Sequence, residues 1–128
     1  MTTQNVIVIT GASRGIGAAT AHLAAERGYA VCINYRRNHT AANGVVEAIR
    51  QRGGQAVAIA ADIAFEAEVI ALFQAVDQQL GPITALVNNA GILEPQMRVE
   101  NLSAERLNRV FATNVTSAFL CAREAIKR

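Results

Sequence analysis

The sequence has few of the residues that build metal centres or redox motifs. Its two cysteines, Cys32 and Cys121, match no metal-ligand or redox spacing. Both are expected to be small, reduced core residues, one in a strand and one in a helix; no metal site is expected. Aromatic residues make up 5% of the chain, which leaves the core to Ala, Val, Ile and Leu. That mixture suits helices lying close on a parallel sheet. Charged residues are 17%, and the formal net charge of +2 comes from scattered Lys and Arg with no long basic block. A nucleic-acid surface is therefore not expected. The N-terminal apolar run, Val6 to Ile9, is too short for a signal-peptide core or a membrane span. A cytoplasmic protein without membrane association is expected.

What remains is a chain of one-domain size. Its 128 residues should bury roughly two thirds of the surface exposed on unfolding, and a composition 52% hydrophobic argues against disorder.

The elements alternate. Val6–Ile9 is a β-branched strand leading into Thr10-Gly11-Ala12-Ser13-Arg14-Gly15-Ile16-Gly17, after which Ala18 to Arg27 is rich in helix formers and Gly28 ends the helix. Ala30 to Tyr35 is a second strand. Ala42, Val45, Val46 and Ile49 form the stripe of a second helix stopped by Gly53-Gly54. A third strand is expected over Ala56 to Ala61. Phe65, Val69, Leu72, Phe73, Val76 and Leu80 repeat at helical spacing up to Gly81-Pro82, and Ala85 to Val87 is the fourth strand. Ser103 is a plausible N-cap for a fourth helix with no stop signal before Arg128. About four strands and four helices in this order imply an α/β fold: a Rossmann-like, doubly wound parallel sheet with right-handed crossovers.

A glycine turn between a buried strand and a helix suits a pyrophosphate, because the helix N-terminus offers unpaired N–H groups and a partial positive charge. Gly11 lets the chain turn off the strand, Gly15 or its neighbour lets phosphate approach the backbone, and Gly17 lets the helix pack close to the sheet. A P-loop is excluded, since no Gly-Lys-Ser/Thr follows.

The spacing Gly-x-x-x-Gly-x-Gly preceded by Thr10, Asn88-Asn89-Ala90-Gly91 after the fourth strand, and Asp62-Ile63 after the third together resemble the short-chain dehydrogenase/reductase family over the whole chain. The resemblance implies that Gly11, Ser13, Arg14, Gly15, Ile16 and Gly17 face the cofactor phosphates. It places Asp62 and Ile63 at adenine, Asn89, Ala90 and Gly91 along the ribose and nicotinamide, and Asn114 as a catalytic residue ordering a water chain. Asp62 also reads as a helix N-cap, Asn88 as a brace bonding neighbouring backbone, and Asn114 as a satisfied core amide on an apolar face with Leu107, Phe111 and Ala118.

Cofactor choice is expected from the end of the second strand. NAD-specific folds place an acid there, roughly 20 residues past the turn. Here the positions read Asn34-Tyr35-Arg36-Arg37, with no acid before Glu47. NADP(H) is expected, with Arg36 or Arg37 pairing its 2′-phosphate.

The family's serine and Tyr-x-x-x-Lys are not found; Tyr29 and Tyr35 have no lysine four positions on. Residues 1–128 are thus expected to be the dinucleotide-binding part of one domain in a protein about twice as long, with a natural short form as the alternative. The chain alone is expected to be inactive and prone to associate through the open edge of its fourth strand. The full-length protein is expected to be a homodimer or homotetramer acting on a small carbonyl or alcohol substrate, with general similarity to 3-oxoacyl carrier-protein reductases and glucose dehydrogenases. The alternative is a nucleotide-binding fragment or remnant without catalysis. Sugar-nucleotide epimerases fit less well, because their glycine spacing differs.

Overall fold

In a computed structural model, which describes residues 4–128, the chain forms a four-stranded parallel sheet. The strands are β1 (Val6–Ile9), β2 (Ala30–Tyr35), β3 (Gln55–Ala60) and β4 (Ala85–Val87), in the order β3-β2-β1-β4. The helices are α1 (Gly15–Glu26), α2 (His39–Gln51), α3 (Glu66–Gln79), α4 (Ala104–Phe111) and α5 (Ser117–Ile126). The last two are joined through a π-helical segment, Ala112–Thr116, into one long fourth helix.

Successive strand residues point to opposite faces, and the core divides accordingly. Ile7, Ile9, Val31 and Ile33 pack under Ala21 and Ala24 of α1 and Ala42, Val45, Val46 and Ile49 of α2. Val6, Val8, Ala30 and Cys32 face Val69, Leu72, Phe73 and Val76 of α3 and Cys121 of α5. Both faces of β1 and β2 are thus covered, which is why these strands read as continuous apolar runs. Both thiols are free. Burial pushes Cys32 up to about 12 and Cys121 to about 11, so neither is a thiolate at neutral pH.

Three expectations are corrected. Helix α1 starts at Gly15 rather than Ala18, because Ala18 N–H already bonds Arg14 O at 3.2 Å; Gly15 and Gly17 lie in its first turn despite their poor helix propensity. Strand β3 begins one residue early, at Gln55, which pairs with Ala30. Phe65 is not a core residue but the exposed N-cap position of α3.

The chain winds outward from β1 to β2 to β3, then crosses back to add β4 on the other side of β1. The carboxyl ends of β1 and β4 therefore flank the point where the winding reverses, the place where open α/β sheets hold ligands.

Candidate cofactor site at the carboxyl ends of the strands

A cavity of about 530 Å³ lies at this reversal, within the range of about 300 to 1,000 Å³ typical of small-molecule and cofactor sites. Its rim is built by the glycine turn. Gly11 has φ +61°, and a Cβ there would come within 3.0 Å of Ala90 Cα. At Gly17 a Cβ would lie 2.6 Å from both Asn89 Nδ2 and Gly11 O. Gly17 thus admits the turn itself and Asn89, a refinement of its expected role in helix–sheet packing. Gly15, with φ +58° and nothing within 4 Å of a Cβ, opens onto the cavity.

The turn is held from both sides. Buried Thr10 accepts the N–H groups of Asn89 and Ala90 on its Oγ1, at 3.1 and 3.0 Å. In return Asn89 Nδ2 donates to Thr10 O and Gly11 O at 3.0 Å. From β2, Asn34 O accepts Ala12 N–H at 2.8 Å, and Asn34 Oδ1 accepts Gly11 N–H at 3.4 Å. Asn34 Nδ2 reaches Ile59 O and Ala61 O beyond β2. Two buried or half-buried amides therefore stitch four strand ends around the turn.

The electrostatics favour an anion. Helix α1 has no capping side chain and no acid in its first turn, whereas α2 is capped by Asn38 and α4 by Ser103. Its first-turn N–H groups and positive dipole end therefore lie uncompensated where Arg14, Gly15 and Ile16 line the cavity. Three arginines line it, Arg14, Arg36 and Arg37, against one carboxylate, Asp62. Asp62 is itself engaged: its Oδ2 lies 3.2 Å from Arg36 Nε, and its Oδ1 accepts Ala64 N–H at 3.1 Å.

A short chain dehydrogenase family model matches residues 5–128. The chain belongs to the short chain dehydrogenase family. It is 56% identical over 123 residues to the uncharacterized oxidoreductase YgfF of Escherichia coli K12, covering 96% of this chain and 50% of that protein. It is 39% identical to the 3-oxoacyl-[acyl-carrier-protein] reductase of Synechocystis, covering 98% of this chain and 50% of the reductase. The short-chain dehydrogenase/reductase from Serratia marcescens BCRC 10948 superposes with a TM-score of 0.92 at 35% identity, covering 96% of this chain and 50% of that one. The chain spans about half the length of the curated relatives it matches.

The short chain dehydrogenase motifs converge on the cavity. Gly11, Ser13, Arg14, Gly15, Ile16, Asn34, Tyr35, Arg36, Arg37, Asp62, Ile63, Asn89, Ala90 and Gly91 all line it; Gly17 and Asn114 do not. Asn38, Ala61, Ile92 and Thr113 line it as well. Each adjoins a residue singled out from sequence, which was the available signal. Thr10, in the sequence no more than the residue preceding the glycine spacing, is the central fastener of the turn.

Three further expectations are corrected. Asp62 is not the N-cap of α3, because Phe65 holds that position; it makes a tight turn onto Ala64. Asn88 is a brace bonding backbone, as expected, but its partner is Ala118 O of α5, at 3.1 Å, rather than adjoining chain, and Asn89 braces the glycine turn as well. Asn114 is not a core amide: it is exposed, as are Leu107 and Phe111. It lies in the π segment, where the widened turn breaks the spacing that α-helical periodicity assumes.

Proposed function

We propose that this chain supplies the cofactor-binding half of an NADP(H)-dependent oxidoreductase acting on a small carbonyl or alcohol substrate. The observation that carries the reading is the uncapped, acid-free N-terminus of α1, facing a cavity lined by three arginines, with no acid at the end of β2. The residues fit a dinucleotide diphosphate, since Gly15 leaves its approach open. When bound, the dinucleotide supplies or accepts the hydride. Gly11 through Gly17 hold its diphosphate, with Ser13, Arg14, Arg36 and Arg37 on the 2′-phosphate side. Asn34 and Tyr35 form the floor, Asp62 and Ile63 bound the adenine end, and Asn89, Ala90 and Gly91 border the nicotinamide side.

Asn114 is the proposed catalytic position in this chain. Its second amide hydrogen and remaining lone pairs stay available to order water for proton transfer. The chain by itself is proposed to be inactive, because neither Tyr29 nor Tyr35 has the lysine four positions on that would support proton transfer; Tyr35 instead bonds His39. The proposal includes a homo-oligomeric, cytoplasmic full-length protein; among the described residues no helix is long and apolar enough to cross a membrane.

Calorimetric titration with NADPH and NADH tests the reading. NADPH should bind more tightly. Charge-assisted bonds contribute about 1.5 to 3 kcal/mol each, so Arg36→Ala should weaken NADPH by roughly ten- to a hundredfold and leave NADH nearly unchanged. A wild-type preference for NADH, or equal losses for both cofactors in the variant, would show that the strand end has been misread.

A further inference from the structure

Arg36 and Asp62 leave the carboxyl ends of neighbouring strands, β2 and β3, 26 positions apart in sequence, and meet through an ion pair of 3.2 Å at the cavity wall. The two ends of this contact differ. The Arg36 side chain is 56% exposed and that of Asp62 only 21%. The backbone around Asp62 is tied down: Oδ1 accepts Ala64 N–H, and its own N–H donates to Glu68 Oε1 at 2.8 Å. Asp62 is therefore the fixed partner and Arg36 the long, otherwise mobile one. The nearest approach is from Nε, an ion pair rather than an aligned hydrogen bond, and among the described residues no guanidinium nitrogen of Arg36 makes a hydrogen bond. An arginine drawn to a carboxylate on its Nε side keeps its terminal fork unpaired, and a planar fork confined in advance loses less freedom when it meets a phosphate.

We propose that Asp62 is a positioning residue for cofactor choice: it orders Arg36 so that the free edge of the guanidinium recognises a 2′-phosphate. This rests on the NADP(H) reading above. The carboxylate acts through the arginine, and its contribution is confined to ligands that carry the 2′-phosphate. Arg37 has no such anchor among the described residues, so the two arginines are not equivalent.

The test uses the adenosine end alone, by calorimetric titration of the full-length protein with 2′,5′-ADP and 5′-AMP, so that activity does not enter. Asp62→Asn is the informative variant, since its side-chain oxygen still accepts Ala64 N–H. The wild type should prefer 2′,5′-ADP. Asp62→Asn should lower that preference about three- to tenfold, the range for losing the pre-ordering of one rotamer-rich side chain; any contact of Asp62 with adenine is common to both ligands and cancels from the ratio. In the Arg36→Ala background the same substitution should leave the preference unchanged, a result that a general loosening of the fold would not produce. Equal losses for both ligands, which leave the ratio unchanged, would mean that Asp62 serves adenine alone, and a raised preference would mean that it opposes the phosphate; either overturns the proposal. A wild type with no preference for 2′,5′-ADP removes the NADP(H) reading together with this one, whereas a wild-type preference that Asp62→Asn leaves intact removes this one alone.

Discussion

Asn114 closes both arms of its amide on the backbone of Ile92: Oδ1 accepts the Ile92 N–H at 2.7 Å and Nδ2 donates to the Ile92 carbonyl at 2.9 Å. The π segment of the fourth helix is thereby fastened to the loop that leaves Asn88-Asn89-Ala90-Gly91, and Ile92 lines the cavity. The same loop is held by Arg109, whose guanidinium bonds Glu94 at 2.7 Å and keeps that carboxyl below its ordinary value.

Asn114→Ala should release this loop. The stability cost should be about 1 kcal/mol, the low end for two hydrogen bonds at an exposed site. Amide exchange at Ile92 should accelerate markedly. Asn114→Asp should release the loop too, since a carboxylate oxygen would then face the Ile92 carbonyl. Unchanged protection at Ile92 in both variants would deny Asn114 this role.

Two glycines make a matched pair. Gly17→Ala places a methyl against Gly11 O, Ala12 Cα and Asn89 Nδ2 at 2.6 to 2.9 Å. The backbone cannot yield without deforming the turn, so a loss of about 1 to 3 kcal/mol is expected, with weaker nucleotide binding. Gly44→Ala, inside α2 with open space around it, should instead stabilise by roughly 0.5 to 1 kcal/mol. Thermal melts of the two variants should move in opposite directions.

Leu107, Phe111, Val115 and Phe119 recur every four residues along the fourth helix and are 41%, 58%, 43% and 75% exposed. In the homo-oligomer proposed above, this exposed apolar stripe is the candidate association surface. The wild-type full-length protein should then scatter light as a dimer or tetramer and Phe119→Glu as smaller species; a wild type that stays monomeric at micromolar concentration would refute the assignment.

Glu124 of α5 is 3% exposed and meets Arg123, Lys127 and Arg128. Burial pushes its carboxyl up, but bonds from Arg128, Lys127 and Arg123 together outweigh burial and hold it below the ordinary 4.5. A carboxyl depressed in the folded state stabilises above its unfolded pKa and loses that contribution as pH falls through its folded one. Wild-type stability should therefore decline as pH drops below about 4.5, and Glu124→Gln should lower the melting temperature at neutral pH and flatten that acid limb. A variant with an acid limb as steep as the wild type's would assign the decline to other carboxyls.

The strands and the glycine turn were legible in the sequence because their causes are local. A β-branched run covered on both faces reads as a strand wherever it occurs, and Ala30–Tyr35 was bounded to the residue. The missing acid after β2 is likewise a property of neighbouring positions, so the charge of the cavity rim was readable before any contact was known.

What the tertiary structure alone decided are relationships between segments that share no periodicity. Asn88 and Asn89 are adjacent and chemically identical, and nothing local says which amide reaches Thr10 and which reaches Ala118. The apolar spacing around Asn114 pointed to the core, yet the π segment lies against the loop at Ile92, and packing rather than propensity set that face. Arg36 and Asp62 were each readable as cofactor contacts, but their pairing depends on the register of β2 against β3, which juxtaposes two strand ends that the chain itself keeps 26 residues apart. Side-chain type is carried along the sequence; partner choice among polar groups is settled only when the sheet brings the ends of its strands together.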